Sequence, residues 1–67
     1  MNTSQEIEPL AHSPDAAARR LGVSQRSIYH LIALGELRSV KIGKRRLIPD
    51  DELKSYLARK MREQATR

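Results

Sequence analysis

The residues best suited to binding chemistry lie in two short stretches of the chain. The first stretch, near the middle of the sequence, carries four polar side chains: Gln25, Arg26, Tyr29 and His30. Arginine can donate two hydrogen bonds to guanine, glutamine can bond bidentately to adenine, and tyrosine and histidine each combine a flat face with a hydrogen-bonding edge. No acidic residue follows them before Glu36. The stretch is therefore suited to contacts with base edges and phosphates.

The second stretch, residues 38–46, is basic. Its cations are Arg38, Lys41, Lys44, Arg45 and Arg46. It contains no acidic residue, and the acidic cluster that follows begins only at Asp50. The whole chain has 13 Lys and Arg against 8 Asp and Glu, which gives a net charge of +5. Positive charge concentrated in this way indicates a partner rich in phosphates rather than charge that only keeps a domain soluble.

A first helix is predicted just before these stretches. Ser13 can cap it, and Pro14 suits its first position because a missing N–H does no harm there. The helix runs to about Leu21 and ends at Gly22, a residue type that tolerates a positive φ.

A second helix, residues 25–34, positions the first stretch. Ser24 can cap it after a turn of about three residues, and Gly35 ends it. On a helical wheel, the apolar residues that cluster within about 100° are Ile28, Leu31 and Ile32. The opposite side carries Arg26, Tyr29 and His30. One side is therefore expected to face the core and the other to face solvent.

A short β-hairpin is predicted to position the second stretch. Residues 37–48 are rich in β-branched side chains around a central Gly-Lys pair, which is typical of a two-residue turn. Such a turn pairs Val40 with Leu47. A three-residue turn that includes Arg45 instead pairs Val40 with Ile48 and reverses the faces of the second strand. The pattern leaves both registers open.

A third helix is predicted from Asp51 to about residue 63, with Asp50 as its cap. Its apolar residues, at spacings of three, four and eight, are Leu53, Tyr56, Leu57 and Met61. We expect this stripe to pack on the rest of the domain. The basic run at residues 59–62 suits the negative end of a helix at least as well as it suits a DNA contact.

The chain of 67 residues has room for one small domain, which buries roughly 60% of the surface exposed on unfolding. Residues 1–9 are expected to form a flexible tail, because they offer too little apolar surface to offset the entropy of ordering. The domain is predicted over residues 10–63, with a frayed C-terminus at residues 64–67.

Several kinds of site are not expected. The chain has no cysteine, and neither His12 nor His30 has a second ligand at a metal-binding spacing, so no metal or other cofactor is predicted. No nucleophile stands beside a base, and the glycines are too few to cradle phosphates. We therefore expect neither an enzyme nor a site for a small-molecule ligand.

The sequence also gives no sign of membrane contact. No apolar stretch approaches the ~20 residues of a membrane span, and the N-terminus lacks the pattern of a signal peptide. A cytoplasmic, nucleoid-associated protein is expected.

Read as one connected string, many of these positions resemble a known family. They are Ala17-Ala18, Leu21-Gly22-Val23-Ser24, Ile28-Tyr29, Leu31-Ile32, Gly35, Leu37, Ile42-Gly43, Arg46, Ile48, Leu53 and Tyr56-Leu57. The chain resembles, over about residues 10–57, the excisionase-type helix-turn-helix proteins, small relatives of the winged-helix domain of the mercury-resistance regulator (MerR) superfamily. It departs from the family at Ala16, where Glu is usual, and at His12, where an apolar strand residue is common. The start of the first helix is therefore expected to be looser.

The resemblance implies a small α+β fold, a winged helix-turn-helix with two helices, a β-hairpin wing and a C-terminal helix. It places the second helix in the major groove of double-stranded DNA, and the wing on the backbone or an adjacent minor groove. The recognition residues that it implies are Gln25, Arg26, Tyr29 and His30. The wing contacts that it implies are Lys41, Lys44, Arg45 and Arg46.

Proteins of this kind, by resemblance, act as recombination directionality factors (excisionases) for the integrase of a phage or mobile element, or as small transcriptional regulators. The sequence leaves both roles open. A single module buries about 600–1,000 Å² on DNA, so cooperative self-association on DNA is also expected. An alternative of a different class is a protein-interaction adaptor, in which Tyr29 and His30 dock a partner protein.

Overall fold

The computed structural model describes residues 9–65 and has the small α+β fold expected of a winged helix-turn-helix. Its elements are β1 (Ala11–His12), α1 (Pro14–Leu21), α2 (Gln25–Ala33), β2 (Val40–Ile42), β3 (Arg45–Pro49) and α3 (Asp50–Ala65). The tail predicted at residues 1–9 lies outside the described residues, except for its last position. Residues 66 and 67 lie outside them as well.

The two helices of the helix-turn-helix begin where local capping chemistry predicts. The Ser13 hydroxyl accepts a hydrogen bond from the Ala16 amide at 3.1 Å, and the Ser24 hydroxyl accepts one from the Ser27 amide at 3.1 Å. Between them, Gly22 ends α1 with a φ of 85°. This left-handed conformation suits glycine because a Cβ atom would strain it. The turn between α1 and α2 is therefore specified by the sequence at both of its ends.

The three strands form one antiparallel sheet in the order β1-β3-β2. Val40 pairs with Leu47, and Ile42 pairs with Arg45. Of the two registers that the sequence allowed, the two-residue turn is therefore the one observed. The hairpin formed by β2 and β3 is called the wing below.

Strand β1 adds a feature that the hairpin pattern did not predict. Ala11 pairs with Pro49, and His12 pairs with Ile48, along the other edge of β3. In addition, the Asp50 amide donates a hydrogen bond to the Leu10 carbonyl at 2.8 Å. The segment before α1 is thus fixed to the end of the wing.

The core is small and draws on nearly every element. Its buried residues are Ala17, Ala18, Ile28, Leu37, Ile48 and Leu53. Leu21, Leu31, Ile32 and Tyr56 pack against them and are partly buried. Because Ile28 belongs to α2 and Ile48 to β3, the second helix and the wing are attached to the same core.

The apolar stripe of α3 packs only in part, which corrects the expectation from periodicity. Leu53 is buried and Tyr56 is half-buried, but Leu57 is 50% exposed and Met61 is 64% exposed. The helical period is regular along the whole stripe, but so small a core covers only the first turns. None of the helices between residues 9 and 65 combines the length and apolar character that a membrane span requires.

Helix α3 is also longer than predicted. It begins at Asp50 and runs to Ala65, so residues 64 and 65, which were expected to be frayed, are helical. Residues 50–65 contain no glycine or proline, and glutamate, glutamine and alanine are good helix formers.

An ion-pair cluster around the buried carboxylate of Asp50 holds the segment before α1 and corrects the expectation of a loose start. His12 Nε2 lies 2.6 Å from Asp50 Oδ1, and Arg20 Nε donates to the same oxygen at 2.6 Å. Lys54 Nζ lies 3.4 Å from Asp50 Oδ2. The Arg20 guanidinium first, and then His12, hold the pKa of the Asp50 carboxyl well below its usual range. His12, which stands where an apolar residue is common, therefore has a buried polar partner in the Asp50 carboxylate.

Candidate nucleic-acid interface

Helix α2 exposes all four residues that the sequence singled out, Gln25 at its first position and the other three on its outward side. The residues Gln25, Arg26, Tyr29 and His30 are called the polar face below. All four are exposed, and Tyr29 is 49% exposed although it is the largest apolar surface among them. On the opposite side of the helix, Ile28 is fully buried. The wheel derived from the sequence therefore assigns both sides of α2 correctly.

The side chains of the polar face are free to bind a partner. Among residues 9–65, none of the four side chains makes a hydrogen bond or an ion pair with another part of the domain. Arg26, Ser27, Tyr29 and His30 line one shallow, open depression on the surface. Donors, acceptors and a flat aromatic ring are thus presented together on one accessible patch.

The wing carries its four predicted cations on different sides. Lys41 pairs with Arg46, and these two side chains therefore share the sheet face from which Ile48 enters the core. Arg45 lies on the other face, opposite Ile42. Lys44 occupies the turn. All four cations are exposed, so they surround the tip of the wing rather than form a single row.

One of these cations, Arg46, is held by a side chain at the base of the wing. Arg46 Nη1 donates a hydrogen bond to the Ser39 hydroxyl at 2.7 Å. Ser39 directly precedes β2, so this bond connects the base of one strand with the other. It limits the directions in which the Arg46 guanidinium can reach.

The segment between α2 and the wing is tied to α3, a feature that the sequence did not reveal. Arg59 Nη2 donates to the Glu36 carbonyl at 3.0 Å, and Lys60 Nζ lies 3.3 Å from the Glu36 carboxylate. The Arg38 amide donates to Glu52 Oε1 at 3.2 Å. These bonds fix the path by which the chain passes from the polar face to the wing.

The contacts at Glu36 also involve two cations of the basic run of α3, Arg59 and Lys60. Glu36 first, and then Glu63, raise the pKa of Lys60 above its usual value. Arg59 lies 5.6 Å from the centre of the Tyr56 ring. Two cations of this run therefore have partners inside the domain. The only hint in the sequence was that Glu36 is the first acid after a long acid-free stretch.

The described part of the chain shows no alternative site for a metal. Between residues 9 and 65, no three acidic, histidine or cysteine side chains come together in an arrangement that could hold an ion. His30 belongs to the polar face, and His12 is bound to Asp50.

Comparison with known proteins supports the same architecture. Residues 13–61, which include both helices of the turn, the wing and most of α3, match the helix-turn-helix domain family. The chain belongs to this family. A helix-turn-helix is a DNA-binding unit that places its second helix in the major groove, and this domain is therefore a DNA-binding domain.

A curated relative refines the comparison. The domain is 39% identical over 51 residues to a protein named "Probable excisionase" from Saccharopolyspora erythraea. The aligned residues cover 76% of this chain and 52% of the relative, so the chain spans about half of that protein's length. No solved structure is significantly similar to this chain. The family match and this relative confirm the resemblance to the excisionase-type helix-turn-helix proteins.

Proposed function

We propose that this helix-turn-helix domain binds double-stranded DNA in a sequence-dependent manner, with α2 in the major groove and the wing on the neighbouring backbone along the adjacent minor groove. One observation carries the proposal: four side chains suited to base edges and phosphates are exposed together, without partners among residues 9–65, on a helix whose other side is anchored in the core. An α-helix fits the major groove, where each base pair has a distinct pattern of donors and acceptors.

The two surfaces are proposed to have different tasks. Gln25 and Arg26, in the first turn of α2, and Tyr29 and His30, one turn later, read base edges. The cations of the wing bind phosphates, which fixes the position of the domain on the duplex but carries no sequence information. Because α2 and the wing are attached to the same core, their relative position is fixed. The contacts to base edges and the contacts to phosphates therefore form together.

The biological role that we propose is that of an excisionase, a recombination directionality factor working with the integrase of a phage or mobile element. The name of the curated relative supports this role. A small transcriptional regulator would use the same binding mode, and the two roles differ in which DNA is bound. Fragments recovered from genomic DNA by the protein would lie at attachment sites in the first case and at promoters in the second.

Self-association on DNA is part of the proposal, because one module covers only a short site. Several copies bound side by side would provide a longer and tighter contact. Analytical sedimentation on a duplex with several adjacent sites should show cooperative occupancy. Independent filling of the sites would contradict this part of the proposal.

Salt dependence separates DNA binding from the alternative of a protein-interaction adaptor. The four cations of the wing are proposed to meet phosphates: Lys41, Lys44, Arg45 and Arg46. The logarithm of the association constant should therefore fall with the logarithm of salt concentration at a slope of about −4. The measurement is an equilibrium titration with a duplex selected from a random library by the protein itself. A slope near zero, or a failure to select any duplex, would contradict the proposal.

A further inference from the structure

An apolar side chain stands at the tip of the wing among cations. Ile42 is 62% exposed and directly precedes the two-residue turn. Isolated apolar residues are common on protein surfaces, but this one is flanked by Lys41 in its own strand, Lys44 in the turn and Arg45 across the hairpin. An approach that brings Lys44 and Arg45 to phosphates also brings Ile42 to the nucleic acid.

The position of Ile42 within the wing sets it apart from the other exposed apolar residue of β2. Ile42 and Val40 share the sheet face that is turned away from the core. Val40 is 43% exposed and lies two residues before Ile42, which is about 7 Å farther from the turn along the strand. Ile42 is therefore the apolar group of β2 that a groove of DNA would meet first.

We infer that Ile42 is a wedge that the wing inserts into the minor groove, where it contacts one base step and bends the duplex. This inference rests on the proposed function, in which α2 occupies the major groove and leaves the adjacent minor groove to the wing. An isoleucine side chain gains no favourable contact with phosphates. A partly unstacked base step, in contrast, buries the side chain between apolar ring faces. Apolar wedges of this kind kink DNA by about 20–90° in minor-groove binders.

The wedge gives the wing a share in sequence selection without hydrogen bonds to bases. Pyrimidine–purine steps such as TA and CA open and kink more easily than other steps. A wing that needs one open step beneath Ile42 therefore favours sites with a flexible step at a fixed distance from the bases read by α2. Half a turn of B-DNA, roughly five base pairs, separates a major groove from the next minor groove on the same side.

The test compares three proteins in parallel selections from a random duplex library: the wild type, Ile42→Ala and, as a matched control, Val40→Ala. The wild type should enrich a pyrimidine–purine step about five base pairs from the bases read by α2. Ile42→Ala should lose this enrichment but retain the preference at the bases read by α2. Val40→Ala should retain both. Circular dichroism checks that each variant is folded. Both variants are expected to fold, because both side chains are exposed in the wild type.

Binding and bending of the selected wild-type duplex provide the second readout. With dyes at the two ends of the duplex, energy transfer should report a bend with the wild type and a clearly smaller bend with Ile42→Ala. Affinity should fall about tenfold with Ile42→Ala, because an apolar group of this size is buried in the complex, and less than about twofold with Val40→Ala. Ile42→Leu, which keeps an apolar side chain, should restore most of the affinity. The slope of affinity against salt should not change, because no charge is removed.

The outcomes separate this inference from the proposed function. If the wild type selects a duplex with the expected salt slope, but Ile42→Ala bends and binds it equally well, the wedge is refuted and the DNA-binding function stands. If Ile42→Ala and Val40→Ala lose affinity equally, the effect comes from the wing as a whole, and the wedge is again refuted. If the wild type selects no duplex, both proposals fail together.

Discussion

The side chains of α2 and of the wing should respond differently to truncation, because groups that read bases and groups that hold phosphates contribute different free energies. Arg26→Ala should relax the preference at one base pair by about 1–3 kcal/mol. Lys44→Ala should weaken binding to all sequences alike and reduce the salt slope by about one. Competition titrations with selected and scrambled duplexes measure both effects. A loss of base preference in Lys44→Ala, with none in Arg26→Ala, would show that the two tasks are assigned the wrong way round.

Asp50 offers a prediction at the same scale that concerns stability. Its pKa is lowered in the folded state by Arg20 and His12, so its carboxylate stabilises the fold above the pKa of the unfolded chain, about 4. That contribution should be lost progressively as the pH falls below this value. Asp50→Asn should therefore flatten the acid limb of the unfolding free energy, measured by urea titration at several pH values.

The control for Asp50 is Asp15→Asn, which removes the same charge from an exposed ion pair with Arg19. Exposed pairs contribute little to stability because water and salt screen them. This variant should keep the acid limb of the wild type. An equal flattening in both variants would mean that the cluster around Asp50 has no special role.

At the scale of the elements, the prediction concerns the turn of the wing. Gly43 has a φ of 62°, and a Cβ added there would meet no atom within 4 Å. Gly43→Ala is therefore destabilising only through backbone strain, by about 1–2 kcal/mol. Relative to the wild type, hydrogen exchange in Gly43→Ala should accelerate more at the wing amides than at the helical amides.

Gly22→Ala is a matched control for the turn, because Gly22 has a φ of 85° and an equally open surrounding. It should cost a similar free energy of unfolding without a selective effect on the wing. Wing amides that exchange normally in Gly43→Ala would contradict the view that the turn glycine holds the hairpin.

The same scale shows what the sequence could predict. The helix-turn-helix and the wing follow from local signals, namely Ser13, Ser24 and the turn glycines, and local signals are legible in a sequence. The choice of register depended on whether Leu47 or Ile48 enters the core, which is a matter of tertiary packing. Strand β1 has only two residues, too few for a periodic pattern, and its pairing joins residues far apart in the chain.

The candidate site was predictable for a related reason. Exposure of Arg26, Tyr29 and His30 follows from the position of Ile28, since one buried side of a helix determines the other. The contacts of Glu36 with Arg59 and Lys60 join residues more than twenty positions apart, and no spacing rule could have linked them. The exposed end of the α3 stripe likewise depended on how far the core extends, which periodicity does not report.

At the scale of the whole molecule, so small a core makes each buried side chain important. Ile28→Ala should lower the unfolding free energy by about 2–5 kcal/mol, a large part of what a small domain has in total. Tyr29→Ala, one position along but on the polar face, should change it by less than about 0.5 kcal/mol. Thermal unfolding followed by circular dichroism compares the two. Equal losses would contradict the assignment of the two sides of α2.

The central claim is that the polar face of α2 and the wing form one surface that meets two adjacent grooves of a duplex. Methylation interference on a selected duplex tests it most directly, since guanine N7 lies in the major groove and adenine N3 in the minor groove. We predict interference at guanine N7 within one short block and at adenine N3 roughly five base pairs away, on the same side of the helix. Interference confined to one groove, or on opposite sides of the duplex, would contradict the account.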